Sequence, residues 1–228
     1  MASTTINVQS ALGTSLSSTS NDSSTWSEPQ ICREYDVFLN FRGEDTRYTF
    51  TDHLYNALVD KCIRTFKDNE ELAYGKPIKR ELLDAIDKPR MAVIILSKDY
   101  ASSTWCLEEL AKIVERMEDR GMRVLPIFYH VDPRDVQNQT ETFASAFDEH
   151  GNHFKDQNIE KVKMWRDALK RVANLSEHYL KDGSQSKFMK SIVQLILCEL
   201  RETHSNVDGD NLLVETNYLA KEEIHGIF

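Results

Sequence analysis

The sequence predicts a three-layer α/β domain built on a mainly parallel sheet of about five strands. Two observations lead to this prediction. The apolar runs at Met91–Leu96 and 124–129 show no polar alternation, which is typical of strands buried on both faces. Segments with helical periodicity separate the apolar runs, so that strands and helices alternate along the chain. Alternation of this kind predicts a parallel sheet covered by helices on both faces.

The individual elements follow from periodicity and from residues that end helices. Pro89 ends one predicted helix and Gly121 another, since proline and glycine both interrupt regular helices. Strands are predicted at 35–40, 62–66, Met91–Leu96, 124–129 and, more weakly, 178–180. Helices are predicted at 50–58, 78–86, Thr104–Arg120, 143–154, Ile159–Ala173 and 187–201.

The composition divides the chain into one domain with two flanking segments. Residues 1–32 are rich in Ser and Thr and carry no Lys or Arg, which predicts a disordered leader. A plastid transit peptide is the alternative, but such peptides are rich in Arg, and the first arginine here is Arg33. The domain is expected at 33–203, and residues 204–228 are interpreted as a linker or C-terminal tail.

Charge and cysteine content exclude several function classes. The chain has 28 Lys and Arg against 37 Asp and Glu, a net charge of −9, which argues against nucleic-acid binding. No apolar run approaches the roughly 18 residues of a membrane span. The cysteines never form a CxxC pair, so we expect no metal site and interpret them as reduced, buried thiols. They are Cys32, Cys62, Cys106 and Cys198.

The loop at 42–47 (RGEDTR), after the first strand, is the first candidate site. The chain contains no GxG, so a Rossmann fingerprint is absent, and no P-loop is present. Arg42 and Arg47 could bind phosphates, and Gly43 would let backbone N–H groups approach an anion. Alternatively, the loop is a turn in which Asp45 or Thr46 caps the next helix. Composition alone leaves both interpretations open.

A second candidate lies on the predicted helix Thr104–Arg120. Trp105 and Glu109 are one turn apart, on the face away from the stripe that contains Leu107 and Leu110. A tryptophan on a polar face indicates a contact with a loop, another subunit or a ligand. Taken alone, Glu109 is expected to be a solvated carboxylate.

Two further groups receive structural interpretations. Asp132 and Asp135 flank Pro133, a spacing that favours a capped turn over a pair of catalytic carboxylates. His150 and His153 are interpreted as solvent-facing helix residues, because no third metal ligand converges on them.

The ordered series of motifs resembles plant Toll/interleukin-1 receptor (TIR) domains. It covers roughly 33–201 in the family's order. Its pieces are 35–47 (YDVFLNFRGEDTR), 50–55 (FTDHLY), 66–68 (FKD), 85–87 (AID), 97–110 (SKDYASSTWCLEEL), 126–129 (PIFY) and 131–136 (VDPRDV).

This resemblance implies a five-stranded, flavodoxin-like parallel sheet with helices on both faces. It also implies an NAD+ glycohydrolase of the ADP-ribosyl cyclase/hydrolase type, which releases nicotinamide and forms ADP-ribose or cyclic ADP-ribose. Such activity depends on self-association and signals plant immunity and cell death. The expected substrate is NAD+ or NADP+, with no cofactor; the expected partners are other TIR domains, and the expected location is the cytoplasm or the nucleus.

The resemblance also assigns roles to individual residues. Glu109, in the WCLEEL motif, corresponds to the catalytic glutamate of active relatives, and Glu108 occupies the variable position. The residues that correspond to nucleotide contacts are Arg42, Gly43, Glu44, Asp45, Thr46, Arg47, Gly75 and Trp105. The residues assigned to self-association surfaces are Asp52, His53 and Glu177.

Four residues depart from the family pattern. Tyr74 stands where relatives often have a basic residue, Glu141 where many have Gly, and Glu177 and His178 replace the Gly-Trp of one association surface. The changed neighbourhood of the loop glycine, at Tyr74, and Glu177 support an alternative function, a catalytically silent TIR adaptor that only binds other TIR domains.

Overall fold

The computed structural model describes residues 34–68, 80–154, 159–175, 179–180 and 184–205. The predicted leader, the tail after 205, Gly75, Tyr74, Glu177 and His178 lie outside the described residues. Within the described part of the chain, no helix is long and apolar enough to cross a bilayer.

A five-stranded parallel sheet forms the centre of the domain, as predicted. Its strands are β1 (Val37–Phe41), β2 (Thr65–Lys67), β3 (Met91–Leu96), β4 (Arg123–Tyr129) and β5 (Tyr179–Leu180). They are arranged in the order β2-β1-β3-β4-β5, and every neighbouring pair is parallel. The chain therefore winds in one direction from β1 to β2 and in the other from β3 to β5.

Helices cover both faces of this sheet. They are α1 (Gly43–Thr46), α2 (Phe50–Val59), α3 (Arg80–Ile86), α4 (Thr104–Arg120), α5 (Pro133–Asn138), α6 (Glu141–Phe154), α7 (Ile159–Ala173) and α8 (Gln185–Ser205), with a 3₁₀ helix at Tyr100–Ser102. Residues of α2 and α8 pack in one apolar cluster, and residues of α3, α4, α6 and α7 pack in the other. The three layers are thus helices, sheet and helices.

The side chains of β1 alternate between the two clusters. Val37 and Leu39 belong to the cluster with α2 and α8, and Phe38 belongs to the cluster with α4. Because side chains of a strand alternate, Asn40 lies on the same side of the sheet as Phe38. A fully buried amide therefore faces α4 from a central strand.

Several predicted element boundaries are confirmed and others are wrong. The bounds of α4 and α7 are those predicted, and Gly121 closes α4 in the left-handed conformation at φ 64°. The second strand begins at Thr65 rather than at residue 62. Cys62 instead lies in the preceding turn, exposed and with φ 59°, so the prediction that it is a buried thiol is wrong. Cys106 and Cys198 are buried free thiols.

The prediction that His150 faces solvent is also wrong. His150 is buried, and its Nε2 lies 2.8 Å from the carbonyl oxygen of Ala101. Its ring packs edge-on against Trp165 of α7. Sequence spacing placed both histidines on one helix but did not show that α6 packs against the 3₁₀ helix. His153 is exposed, as predicted.

The interpretation of Asp132 as a helix cap is confirmed. Its side chain accepts a hydrogen bond of 2.9 Å from the backbone N–H of Arg134, and Pro133 occupies the first turn of α5. Asp135 accepts a hydrogen bond of 2.7 Å from the hydroxyl of Thr140. These contacts give both carboxylates a structural role.

The departure at Glu141 gives a prediction about stability. Glu141 has φ 52°, a left-handed backbone that glycine adopts without steric cost. We expect Glu141→Gly to raise the free energy of unfolding by about 1 kcal/mol, measured by urea denaturation. Glu141→Ala, the control, removes the same charge but retains Cβ and should lack this gain. Equal gains in both variants would show that charge, not backbone strain, is responsible.

Candidate active site

The candidate site lies where the winding of the sheet reverses. In the strand order found here, β1 and β3 are neighbours whose following segments leave in opposite directions. Such a switch point opens a crevice at the carboxyl ends of the strands, which is where α/β sheets bind ligands. The crevice is bounded by the segments that follow β1, β2 and β3.

A cavity of about 240 Å³ occupies this crevice. Three separate parts of the chain contribute to its wall: the end of β1 with α1, the residue after β2, and the start of α4. The lining residues are Leu39, Phe41, Arg42, Gly43, Glu44, Arg47, Asp68, Ser102, Ser103, Thr104, Trp105, Cys106 and Glu109.

Glu109 is the buried carboxyl group of this cavity. It is only 8% exposed, so the interpretation of a solvated carboxylate is wrong. The face of α4 that carries Glu109 packs against the end of β1, and Asn40 Nδ2 donates a hydrogen bond of 2.7 Å to Glu109 Oε2. Burial raises the pKa of Glu109 to about 8, against the lowering effect of this hydrogen bond; the negative charge of Asp68 raises it further.

Asn40 belongs to a buried polar network. The Tyr100 hydroxyl donates to Asn40 Oδ1 and lies 3.2 Å from the carbonyl oxygen of Cys106. Cys106 in turn donates its thiol to the carbonyl oxygen of Phe41 at 3.4 Å. Burial raises the pKa of the Cys106 thiol to about 12, so this thiol remains protonated and is a poor nucleophile.

Two arginines stand at the side of the cavity formed by α1. Arg42 forms ion pairs with Glu44 and Asp45. Arg47 Nη1 donates a hydrogen bond of 2.6 Å to the carbonyl oxygen of Asp68, and its guanidinium lies 5.3 Å from the Phe41 ring centroid. The cavity is therefore lined by two arginines together with the acidic residues Glu44, Asp68 and Glu109.

Trp105 lies in the first turn of α4, at the cavity wall. It is only 9% exposed and packs into the cluster shared with α7, so the expectation that it lies on a polar face is wrong. Its indole N–H is buried and has no hydrogen-bond partner among the described residues. A donor of this kind is a candidate contact for a polar ligand atom.

The structure thus brings together six of the residues predicted for nucleotide contact or catalysis: Arg42, Gly43, Glu44, Arg47, Trp105 and Glu109. Asp45 and Thr46 do not line the cavity. Asp45 accepts hydrogen bonds from the Ser97 hydroxyl and, at 3.2 Å, from the Asp99 backbone, and so fixes α1 to the end of β3. Thr46 is buried, with its hydroxyl 2.8 Å from that of Thr51. Neither residue caps α2, whose cap position is Thr49.

Sequence reasoning did not identify Asn40, Tyr100 or Asp68 as parts of the site. One signal was present for Asn40, because an amide within a doubly buried strand needs a buried partner. Nothing local to Tyr100 or Asp68 indicated that they would approach Glu109.

Two of the three residues assigned to self-association, Asp52 and His53, lie on α2, and the third, Glu177, lies outside the described residues. His53 is exposed, and Asp52 is partly exposed and receives a hydrogen bond of 2.8 Å from Lys67 Nζ. Among the described residues, no group of three or more His, Cys, Asp or Glu side chains is arranged to hold a metal ion.

Fold and cavity together define a doubly wound α/β domain with a buried carboxyl group at its switch point. The chain belongs to the TIR domain family, whose sequence model matches residues 34–215. This confirms the resemblance drawn from the motifs.

Plant disease-resistance proteins are among the relatives. The chain is 48% identical to disease resistance protein RPV1 of Vitis rotundifolia over 194 residues, and 43% identical to TMV resistance protein N of Nicotiana glutinosa over 214 residues. These matches cover 84% and 91% of this chain but only 13% and 18% of the relatives. The chain therefore spans less than a fifth of the length of either protein.

The chain is also similar to plant TIR domains whose structure has been solved. The TIR domains of the activated Roq1 resistosome, which directly recognizes the pathogen effector XopQ, match with 50% identity and a TM-score of 0.65. The match covers 71% of this chain and 99% of that one. This similarity supports the fold assignment and shows a relative whose TIR domains function in an assembly.

Proposed function

We propose that this protein is an NAD+ nucleohydrolase that TIR self-association activates in plant immune signalling. One observation carries the proposal: a buried carboxyl group, Glu109, shares a cavity at the switch point with an indole and two guanidinium groups. A buried, desolvated carboxylate is suited to stabilising positive charge that develops on a substrate.

The chemistry requires only one such carboxylate. Cleavage breaks the bond between the ribose C1′ and the nicotinamide nitrogen; the electron pair leaves with nicotinamide, which becomes neutral, and the ribose passes through an oxocarbenium-like state. Glu109 would stabilise this positive charge and accept a hydrogen bond from a ribose hydroxyl. Water then adds to C1′ and loses a proton, giving ADP-ribose. No general acid is required, because the pyridinium is already a good leaving group.

The two arginines of the cavity suit the rest of the substrate. Guanidinium groups bind phosphate oxygens in bidentate geometry. Arg42 and Arg47, which line the cavity, are therefore the proposed contacts for the pyrophosphate of NAD+ or NADP+. No cofactor or metal is invoked in these steps.

A substitution at Gly43 tests the role of Arg47 in substrate binding. A Cβ at Gly43 would lie 2.7 Å from Arg47 Nη2 and 2.9 Å from Nε, so Gly43→Ala must displace the guanidinium. We expect a KM for NAD+ about tenfold higher, since a charge-assisted hydrogen bond is lost, with kcat less affected. Steady-state kinetics measures both constants. Gly151→Ala is the control, because a Cβ there meets no atom within 4 Å. An unchanged KM in Gly43→Ala would contradict the role of Arg47.

Self-association and cellular role follow from the relatives rather than from the cavity. Exposed His53 and neighbouring Asp52 on α2 are the proposed contacts with other TIR domains, and the proposed location is the cytoplasm or the nucleus. The disease-resistance names of RPV1 and N, and the assembled TIR domains of the Roq1 resistosome, support a role in plant defence.

A silent TIR adaptor is the second candidate, and one observation favours it. With a pKa of about 8, Glu109 is mainly protonated at neutral pH in the ligand-free domain. A neutral carboxyl group stabilises positive charge poorly. Under this alternative, Glu109 is a buried structural group and TIR contacts alone transmit the signal.

The deciding experiment is an assay of nicotinamide release from NAD+ by purified protein over a range of protein concentrations, with and without a crowding agent. We expect specific activity to rise with concentration, because assembly activates the site. Glu109→Gln measured in parallel excludes a contaminating hydrolase. Absence of nicotinamide under every condition that produces oligomers would establish the adaptor alternative instead.

A further inference from the structure

We propose that Asn40 and Tyr100 form a positioning pair that holds the Glu109 side chain in one orientation and keeps one of its oxygens as a hydrogen-bond acceptor. The inference deepens the proposed function and rests on it for its catalytic consequence. Neither residue lines the cavity, so both act on a substrate only through Glu109.

The first step of the argument is the orientation of the Asn40 amide. A tyrosine hydroxyl can donate one hydrogen, and Tyr100 donates toward Asn40 Oδ1. With Oδ1 accepting this hydrogen, Nδ2 faces Glu109 Oε2 at 2.7 Å. The second amide hydrogen lies near the carbonyl oxygen of Cys106, 3.5 Å from Nδ2. A flipped amide would place Oδ1 against Glu109 Oε2, two acceptors without a hydrogen between them whenever the carboxyl group is ionised.

The second step is the burial of Asn40 and Tyr100, which makes the loss of either hydrogen-bond partner costly. Asn40 and Tyr100 are both fully buried, so no water replaces a lost partner. Asn40 is held by β1, which is hydrogen-bonded on both sides by β2 and β3. Tyr100 is held by the 3₁₀ helix that directly follows β3. The pair therefore transmits the rigidity of the central sheet to a side chain on α4.

The third step concerns the groups around the Glu109 carboxyl. Asp68, at the end of β2, opposes its ionisation, whereas the amide of Asn40 favours it. The other titratable or charged groups near the cavity are Arg42, Glu44, Arg47, Cys106 and Tyr100. Among the neighbours that shift the Glu109 pKa, Asn40 is the one whose contact lowers it. Loss of the pair should therefore raise the pKa of Glu109.

Tyr100→Phe is the decisive variant, because it removes one oxygen and leaves the packing of the ring intact. We expect kcat for NAD+ cleavage to fall about tenfold at neutral pH with KM nearly unchanged, since a poorly oriented carboxylate affects mainly the transition state. The acidic limb of the pH–rate profile should move to higher pH by about one unit. Tyr129→Phe is the matched control: Tyr129 packs in the other apolar cluster, and its variant should move neither kcat nor the profile.

A second measurement does not depend on turnover. In protein labelled with ¹³C at glutamate carboxyl groups, comparison with Glu109→Gln identifies the Glu109 resonance. Its titration midpoint should lie at higher pH in Tyr100→Phe than in the wild type, and higher still in Asn40→Leu, which lacks the donor altogether.

The outcomes separate the two proposals. An unchanged midpoint and an unchanged pH profile in Tyr100→Phe overturn the positioning role even if the protein is an active nucleohydrolase. A shifted midpoint in a protein without turnover retains the positioning role and rejects only the proposed function. A fall in kcat at all pH values with KM unchanged and no shift of the midpoint would retain the orienting role and overturn the effect of the pair on ionisation. A parallel rise in KM would show a general structural effect and would overturn the positioning role.

Discussion

Glu109→Gln is expected to reduce nicotinamide release from NAD+ by about 10²–10³-fold or more while leaving the domain folded. The amide preserves the size of the side chain and still accepts a hydrogen bond from Asn40, but it carries no charge. Positive charge on the ribose in the transition state then has no anion in the cavity to stabilise it. The measurement is steady-state kinetics under conditions of assembly, with circular dichroism to confirm the fold.

Glu108→Gln is the matched control for this result. Glu108 precedes Glu109 on α4, but it forms an ion pair with Lys161 of α7 outside the cavity. Its variant should therefore retain wild-type turnover. If both variants lose activity equally, the effect comes from disturbance of α4. If neither does, Glu109 is not the catalytic carboxylate.

Glu109→Gln should also increase the stability of the domain at alkaline pH. An unfolded glutamate has a pKa near 4.5 and folded Glu109 a pKa of about 8, so between these values the folded state binds a proton that the unfolded state does not. Stability of the wild type therefore falls as pH rises from 4.5 to 8, because the buried group must ionise. Glutamine avoids this cost. We expect Glu109→Gln to be more stable at pH 9 by on the order of 5 kcal/mol.

Urea denaturation at about pH 5 and about pH 9 tests this expectation, because the advantage of the variant should be small at the lower pH and large at the higher one. Glu108→Gln should show no such increase between the two pH values. A constant difference across the range would mean that Glu109 ionises as easily in the folded as in the unfolded chain. The candidate site would then lack the desolvation on which its proposed chemistry depends.

The fold could be predicted because its signals are local. The unbroken apolar run of β3 indicates burial on both faces, and the stripe of Leu107 and Leu110 indicates which side of α4 packs inward. The short second strand was placed too early, because Cys62 and its neighbours form a tight turn that apolar composition alone does not reveal.

The site was only partly predictable, because its environment depends on long-range contacts. Helical geometry correctly placed Trp105 and Glu109 one turn apart, yet it suggested solvent where the end of β1 covers that face. The hydrogen bond that Glu109 accepts in this buried position comes from Asn40, which is 69 residues away in the chain. The resemblance to TIR domains indicated six residues that line the cavity, but not the hydrogen bond that acts on the ionisation of Glu109.

The separation of the cavity-forming segments along the chain has a consequence for refolding. The carboxyl ends of β1, β2 and β3 converge only after the parallel pairs between them have formed, and each pair joins distant segments. Such non-local pairing is slow, because loop closure precedes any gain from contacts. Under the proposed function, recovery of nicotinamide release after dilution from denaturant should therefore follow the slowest folding phase. Turnover would then report that the sheet is completely assembled.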